Sequence, residues 1–144
     1  MASRARPTTH AAVSRWLLDT SALAQRSDRE VHRRLTACIE EGAAVCDMVV
    51  AESLIRARSP DDLAARRRFF AVMEVLPVDS PVWNAVGVFA DRLAAAGATV
   101  ATGDAVIAAC AALNEMTVIH FDTDYEVLGE VCEVAHEWVI PRPT

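Results

Sequence analysis

The sequence predicts an α/β fold in three layers, α/β/α, with a central parallel sheet covered by helices on both faces. Three observations carry that expectation. Two short apolar runs, Trp16-Leu17-Leu18 and Val118-Ile119-His120-Phe121, each end in an aspartate, and helical periodicity follows. Short strand-like runs alternate with helix-length segments, the pattern of parallel strands joined by crossover helices. At 144 residues, with 53% hydrophobic and 24% charged residues, the chain can bury the core of one domain without disulfides or metal staples.

The elements follow in order. Arg15–Asp19 reads as the first strand, and Thr20–Arg26 as a helical turn. Asp28 is placed to cap a helix whose apolar stripe is Val31, Leu35, Cys38 and Ile39, and Gly42 stops it. Ala43–Asp47 reads as a second strand, with Asp47 as cap of the helix that carries Glu52. Ser59-Pro60-Asp61-Asp62 is a helix start: a capping serine, proline in the first turn and two acids. Ser80-Pro81 repeats the signal ahead of a helix that Gly97 ends. Gly103-Asp104 opens an almost wholly apolar helix, which must be deeply buried. Thr117–Phe121 is a later strand, and Tyr125, Leu128 and Val131 mark the helix after it. At that helix start Thr123 and Glu126 fit a capping box. A last strand lies near Ala135–Ile140.

Composition excludes several function classes. No apolar run reaches the roughly 18 residues of a membrane span, and residues 1–14 contain no apolar signal core. Those fourteen residues read as a disordered extension ahead of a single domain at 15–141. The four cysteines follow no C-x-x-C or metal-finger spacing and read as buried thiols of a cytoplasmic protein. His120, on the strand before Asp122, reads as a satisfied structural histidine. All fourteen basic residues are arginine, so no mechanism that requires a lysine from this chain can operate.

Five acids remain: Asp19, Glu52, Asp104, Asp122 and Asp124. Taken singly, Glu52 and Asp104 are explained by capping or solvation and Asp124 tolerably by capping, but capping hardly accounts for Asp122. Together they fall at strand ends or helix starts, and a parallel sheet gathers ligands outside the carboxyl ends of its strands. Clustered carboxylates repel one another and lose hydration unless something positive joins them. No arginine adjoins them in sequence. A hard divalent cation with oxygen ligands, Mg²⁺ or Mn²⁺, is the natural compensator; Zn²⁺ fits poorly without nearby histidine or cysteine.

The segments LLDTSAL, VVAESL, GDAVIAACAA and VIHFDTDYEVL, in that order and spacing, resemble the PIN-domain nucleases, and among them the VapC toxins of bacterial type II toxin–antitoxin systems. The resemblance spans about Arg15 to Pro141. It implies a PIN-like three-layer fold and an Mg²⁺-dependent endoribonuclease. By position it makes Asp19 and Asp104 metal ligands, adds Glu52, Asp122 and Asp124 to the site, and matches Thr20 and Ser21 to small hydroxyl residues after the first acid. The chain departs from the pattern in its long N-terminal extension and in the Thr102-Gly103 lead-in to Asp104.

Hydrolysis of RNA by a metal-activated water suits these residues, with Glu52 orienting or deprotonating the water and Thr20 or Ser21 hydrogen-bonding it. Arg56, Arg58 and Arg66–Arg68 are the densest group available to hold phosphates. The resemblance further implies a VapB-type antitoxin, laid in an apolar groove between the helix after Asp28 and the helix carrying Glu52. It also implies a homodimer, through apolar surface near Trp83 and Phe89, and a tRNA or rRNA substrate. A non-catalytic PIN scaffold and a receiver-like acidic-pocket signalling domain are the competing readings. The latter wants a lysine that this chain lacks.

Overall fold

In the computed structural model, residues 15–142 are described; the expected N-terminal extension lies outside them. Five parallel strands stand in the order β3-β2-β1-β4-β5: β1 (Trp16–Leu18), β2 (Ala44–Cys46), β3 (Glu74–Leu76), β4 (Thr117–His120) and β5 (His136–Trp138). Seven helices among the described residues complete a three-layer α/β/α fold: α1 (Thr20–Ala24), α2 (Arg29–Glu40), α3 (Asp47–Ile55), α4 (Pro60–Ala71), α5 (Ser80–Ala96), α6 (Thr102–Leu113) and α7 (Asp124–Cys132).

From β1 the chain steps outward through β2 to β3, then returns to build β4 and β5 on the other side. The strand order therefore reverses between β1 and β4, whose residues pair Trp16 with Thr117 and Leu18 with Ile119. A crevice at the carboxyl ends of these two strands is the expected binding position in an open parallel sheet. Asp19 follows one strand and Asp122 the other. The core beneath is dense: Leu17, Leu18, Val45, Val118 and Ile119 are fully buried. Helix α6 is buried from Ala105 to Ala111, its alanines allowing close approach to α5 and β4.

Several local expectations hold. Asp28 caps α2 by accepting from the backbone N–H groups of Glu30 and Val31, and Ser59 caps α4 through Asp62 N. Gly97 ends α5 in the left-handed conformation, φ 67°, which glycine adopts without steric cost. All four cysteines are free and buried.

Others are corrected. Asp47 does not cap α3: it is the first helical residue, and its carboxylate accepts from Val78 N at 3.0 Å, tying α3 to the segment after β3. Ser80 is likewise the first residue of α5, with Asp79 at the cap position. Strand β3 is an addition. It is a three-residue edge with Glu74 and Val75 exposed, so it carries no buried period for sequence reasoning to find. Of the two aromatic residues expected at an exposed apolar surface, Phe89 is 6% exposed and packs in the core, whereas Trp83 is 50% exposed. A cavity beside α3 is lined from α1, α3 and α4 and includes Arg26, Arg56, Arg58 and Arg66.

Candidate active site

Asp19 sits where β1 turns into α1 and is 1% exposed. Its extended backbone (φ −88°, ψ 155°) makes it the cap of α1, and Oδ2 accepts from Ser21 N at 2.8 Å and from the Ser21 hydroxyl. Oδ1 accepts from the Tyr125 hydroxyl at 2.6 Å. Ser21 Oγ itself accepts from Phe121 N at 2.8 Å, so its single proton is directed onto Asp19. Burial pushes the Asp19 carboxyl above its usual range, and the hydrogen bonds from Ser21 and Tyr125 pull it back part of the way.

Asp104, Asp122 and Asp124 are half-buried, and one carboxylate oxygen from each lies within 4.8 Å of the other two. Asp104 projects from the first turn of α6. Asp122 Oδ1 accepts from Asp124 N at 2.8 Å, and Asp124 Oδ2 accepts from Ala101 N at 2.9 Å, just ahead of α6. The Asp104 carboxyl is pushed up to about 9: by burial, by its hydrogen bond to Asp124, and by the charges of Asp19, Asp122 and Asp124. The expected capping box does not form. Thr123 is helical and makes no side-chain cap bond, while Glu126 is drawn off to Trp138 and Arg142. Asp122 takes the capping bond in its place, so this acid serves both the helix start and the cluster.

Glu52 reaches the crevice from α3. Thr20 Oγ1 donates to its Oε1 at 2.7 Å, and its charge is among those that disfavour ionisation of Asp19. Gly103 lies so close to Glu52 Oε2 that a Cβ there would collide with it. The Thr102-Gly103 lead-in to Asp104 is thereby explained: glycine leaves room for the neighbouring carboxylate.

All five acids therefore border one crevice. Asp104, Asp122 and Asp124 form its tight group, Asp19 lies buried behind them, and Glu52 stands on the Thr20 side. Thr20 and Ser21 orient two of the acids. Sequence reasoning missed Tyr125 as a site residue, having placed it only on an apolar face; a fully buried tyrosine needs a partner for its hydroxyl, and that is the signal it offered. His120 is buried as expected. Its Nδ1 accepts from Asp122 N at 3.1 Å, so the ring proton is on Nε2, which donates to His136 Nδ1 at 2.8 Å. Burial holds His120 down at about 3, so it stays neutral.

A carboxylate cluster at the β1–β4 switch point of a parallel sheet fits a PIN-type α/β domain, and the PIN domain family model matches residues 16–131. The chain belongs to the PIN domain family. Among its relatives, Ribonuclease VapC18 of Mycobacterium tuberculosis is 32% identical over 132 residues, covering 88% of this chain and 96% of the relative. Ribonuclease VapC21 of the same species is 30% identical over 137 residues, covering 91% and 98%. The fold also matches the DNA-bound VapBC crystal structure from Salmonella typhimurium with a TM-score of 0.77 at 19% identity, over 88% of this chain and 98% of that one.

Proposed function

We propose that this chain is an Mg²⁺-dependent endoribonuclease, with Mn²⁺ as the alternative ion, and the toxin of a type II toxin–antitoxin pair acting in the cytoplasm. The observation that supports this reading best is the convergence of Asp104, Asp122 and Asp124 on one point with Asp19 buried behind them. The donors are all carboxylate oxygens, which suits a hard divalent ion rather than zinc. Asp104, strongly resisting ionisation beside its neighbours, marks a cluster whose charge a cation would relieve. Asp19, Glu52, Asp104, Asp122 and Asp124 are the residues assigned to hold it.

When bound, such an ion neutralises phosphate oxygens and makes a water more acidic. The remaining work belongs to the chain. Ser21 and Tyr125 fix the Asp19 carboxylate, and Thr20 fixes Glu52 through Oε1. Glu52 Oε2, against Gly103, is left to accept the proton of the attacking water. His120 and Ala101 N hold Asp122 and Asp124 in place from the two sides. A single-stranded loop of tRNA or rRNA is the substrate class, because its unstacked nucleotides leave the backbone accessible.

The partners of this reading are a VapB-type antitoxin and a second copy of the chain, the latter docking on α5 around Trp83. Growth tests the assignment. Expression alone arrests a bacterial host, co-expression of the small gene encoded beside it restores growth, and Asp19→Asn is harmless. Equal toxicity of Asp19→Asn and the wild type would rule out RNA cleavage as the cause.

A further inference from the structure

Beside the acidic crevice lies a cavity of about 490 Å³, within the roughly 300–1,000 Å³ range of small-ligand sites. Thr20 belongs to both, since its hydroxyl holds Glu52 and its side chain lines the cavity. Four arginines line it (Arg26, Arg56, Arg58 and Arg66) against one aspartate, Asp62. Asp62 is already engaged by Arg66 at 3.1 Å, and Arg66 also donates to the Ser53 carbonyl and hydroxyl. Arg26 gives one donor to the Leu23 carbonyl. The guanidinium groups of Arg56 and Arg58, by contrast, have no protein partner among the described residues. A slot of about 150 Å³ continues from the cavity, sharing Leu23, Arg26, Ser53 and the Asp62–Arg66 ion pair with it and adding the apolar Ala65, Phe69 and Phe70.

A charged chamber that opens into an aromatic slot has the two chemistries of a nucleotide. Guanidinium forks bind phosphate oxygens bidentately, and an aromatic face offers a base something to stack on. The Arg56 and Arg58 guanidinium groups are not required to hold α3 and α4 together, because Arg66 of α4 already donates to the Ser53 carbonyl and hydroxyl of α3.

We propose that this paired cavity is a nucleotide subsite for an unpaired residue of the RNA next to the scissile linkage. The phosphate lies on Arg56 and Arg58, and the base enters the slot between Leu23, Ala65 and Phe69. The proposal rests on the ribonuclease reading for its ligand and adds a determinant of where the strand is cut. A strand held here lies within reach of the carboxylates through Thr20, which places cleavage at a fixed step from the captured nucleotide. Only a nucleotide free of a duplex can enter.

Two measurements test it. The first is binding of a fluorescent single-stranded oligoribonucleotide to the Asp19→Asn protein over a series of salt concentrations. Replacing Arg56 and Arg58 together by alanine weakens binding about tenfold or more at low salt. It also flattens the slope of log affinity against log salt by about 0.7 for each phosphate the variant no longer neutralises. The second is the cut-site pattern on mixed-sequence RNA in Mg²⁺. Ala65→Phe, at an exposed position where the fold tolerates bulk, fills the slot, changes the preferred linkages and raises KM more than it lowers kcat. An unchanged slope together with an unchanged pattern overturns the proposal. So does an arginine variant that keeps its RNA affinity and salt slope but no longer co-purifies with its antitoxin, because the cavity then serves a protein partner. A wild type that cuts no RNA refutes the ribonuclease reading separately, and the binding slopes still decide the subsite.

Discussion

Replacing Asp104 by asparagine should stabilise the metal-free protein, by an amount that grows with pH. Asp104 has an ordinary value of 3.8 and is pushed up to about 9 in the folded state. A carboxyl raised on folding stabilises the folded state relative to the unfolded one only where both are protonated. That advantage is lost as pH rises from about 4 toward 9. Up to pH 7 about three units of the shift are traversed, on the order of 4 kcal/mol at full strength. Asp104 is only half-buried, and solvent screening reduces the usable figure to about 1–2 kcal/mol. An amide removes the penalty and keeps a donor for Asp124. Thermal unfolding in EDTA should therefore give similar midpoints for the two proteins near pH 4 and a variant roughly 3–8 °C higher at pH 7–8. Adding Mg²⁺ should raise the wild type and leave Asp104→Asn nearly unmoved, because only a competent site gains stability from the ion. A variant less stable than the wild type, or a gap independent of pH, would show that carboxylate crowding does not burden the fold at Asp104.

Other perturbations isolate single interactions. Tyr125→Phe deletes one donor to a buried carboxylate and should cost about 1–3 kcal/mol by denaturant unfolding, with a fall in cleavage rate. Gly103→Ala should push the Glu52 carboxylate away from Thr20, lowering the cleavage rate by about tenfold while the melting temperature changes little. His120→Phe leaves Asp122 N and His136 without their partner, and should lower stability by about 1–3 kcal/mol on chemical denaturation.

The sequence made the architecture legible where a strand is buried on both faces. Val118-Ile119-His120 and the apolar run of α6 have few other homes, and their terminal aspartates mark the strand end and helix start. Strand β3 was invisible because an exposed three-residue edge has no apolar period. Asp19, Glu52, Asp104 and Asp122 stood out because each breaks an apolar context, and Asp124 because it follows Asp122 so closely. Their division of labour was not, since it depends on which backbone N–H reaches which oxygen. Thr123 had the capping pattern, yet Asp122 makes the bond, because its carboxylate is the one that reaches Asp124 N. Tyr125 and Gly103 were missed for the same reason. One acts through a hydroxyl meeting a residue 106 positions away, the other through the absence of a side chain against Glu52.

A metal-dependent nuclease centre at Asp104, Asp122 and Asp124, with Asp19 behind them, is the reading on which the rest depends. It stands or falls on internal cleavage of purified RNA by the wild type and Asp122→Asn, each in Mg²⁺ and in EDTA. Discrete internal products should come from the wild type in Mg²⁺ alone, with cleavage down by about a hundredfold or more in the other three reactions. Undiminished cleavage by the wild type in EDTA, or by Asp122→Asn in Mg²⁺, would remove the metal centre from the chemistry.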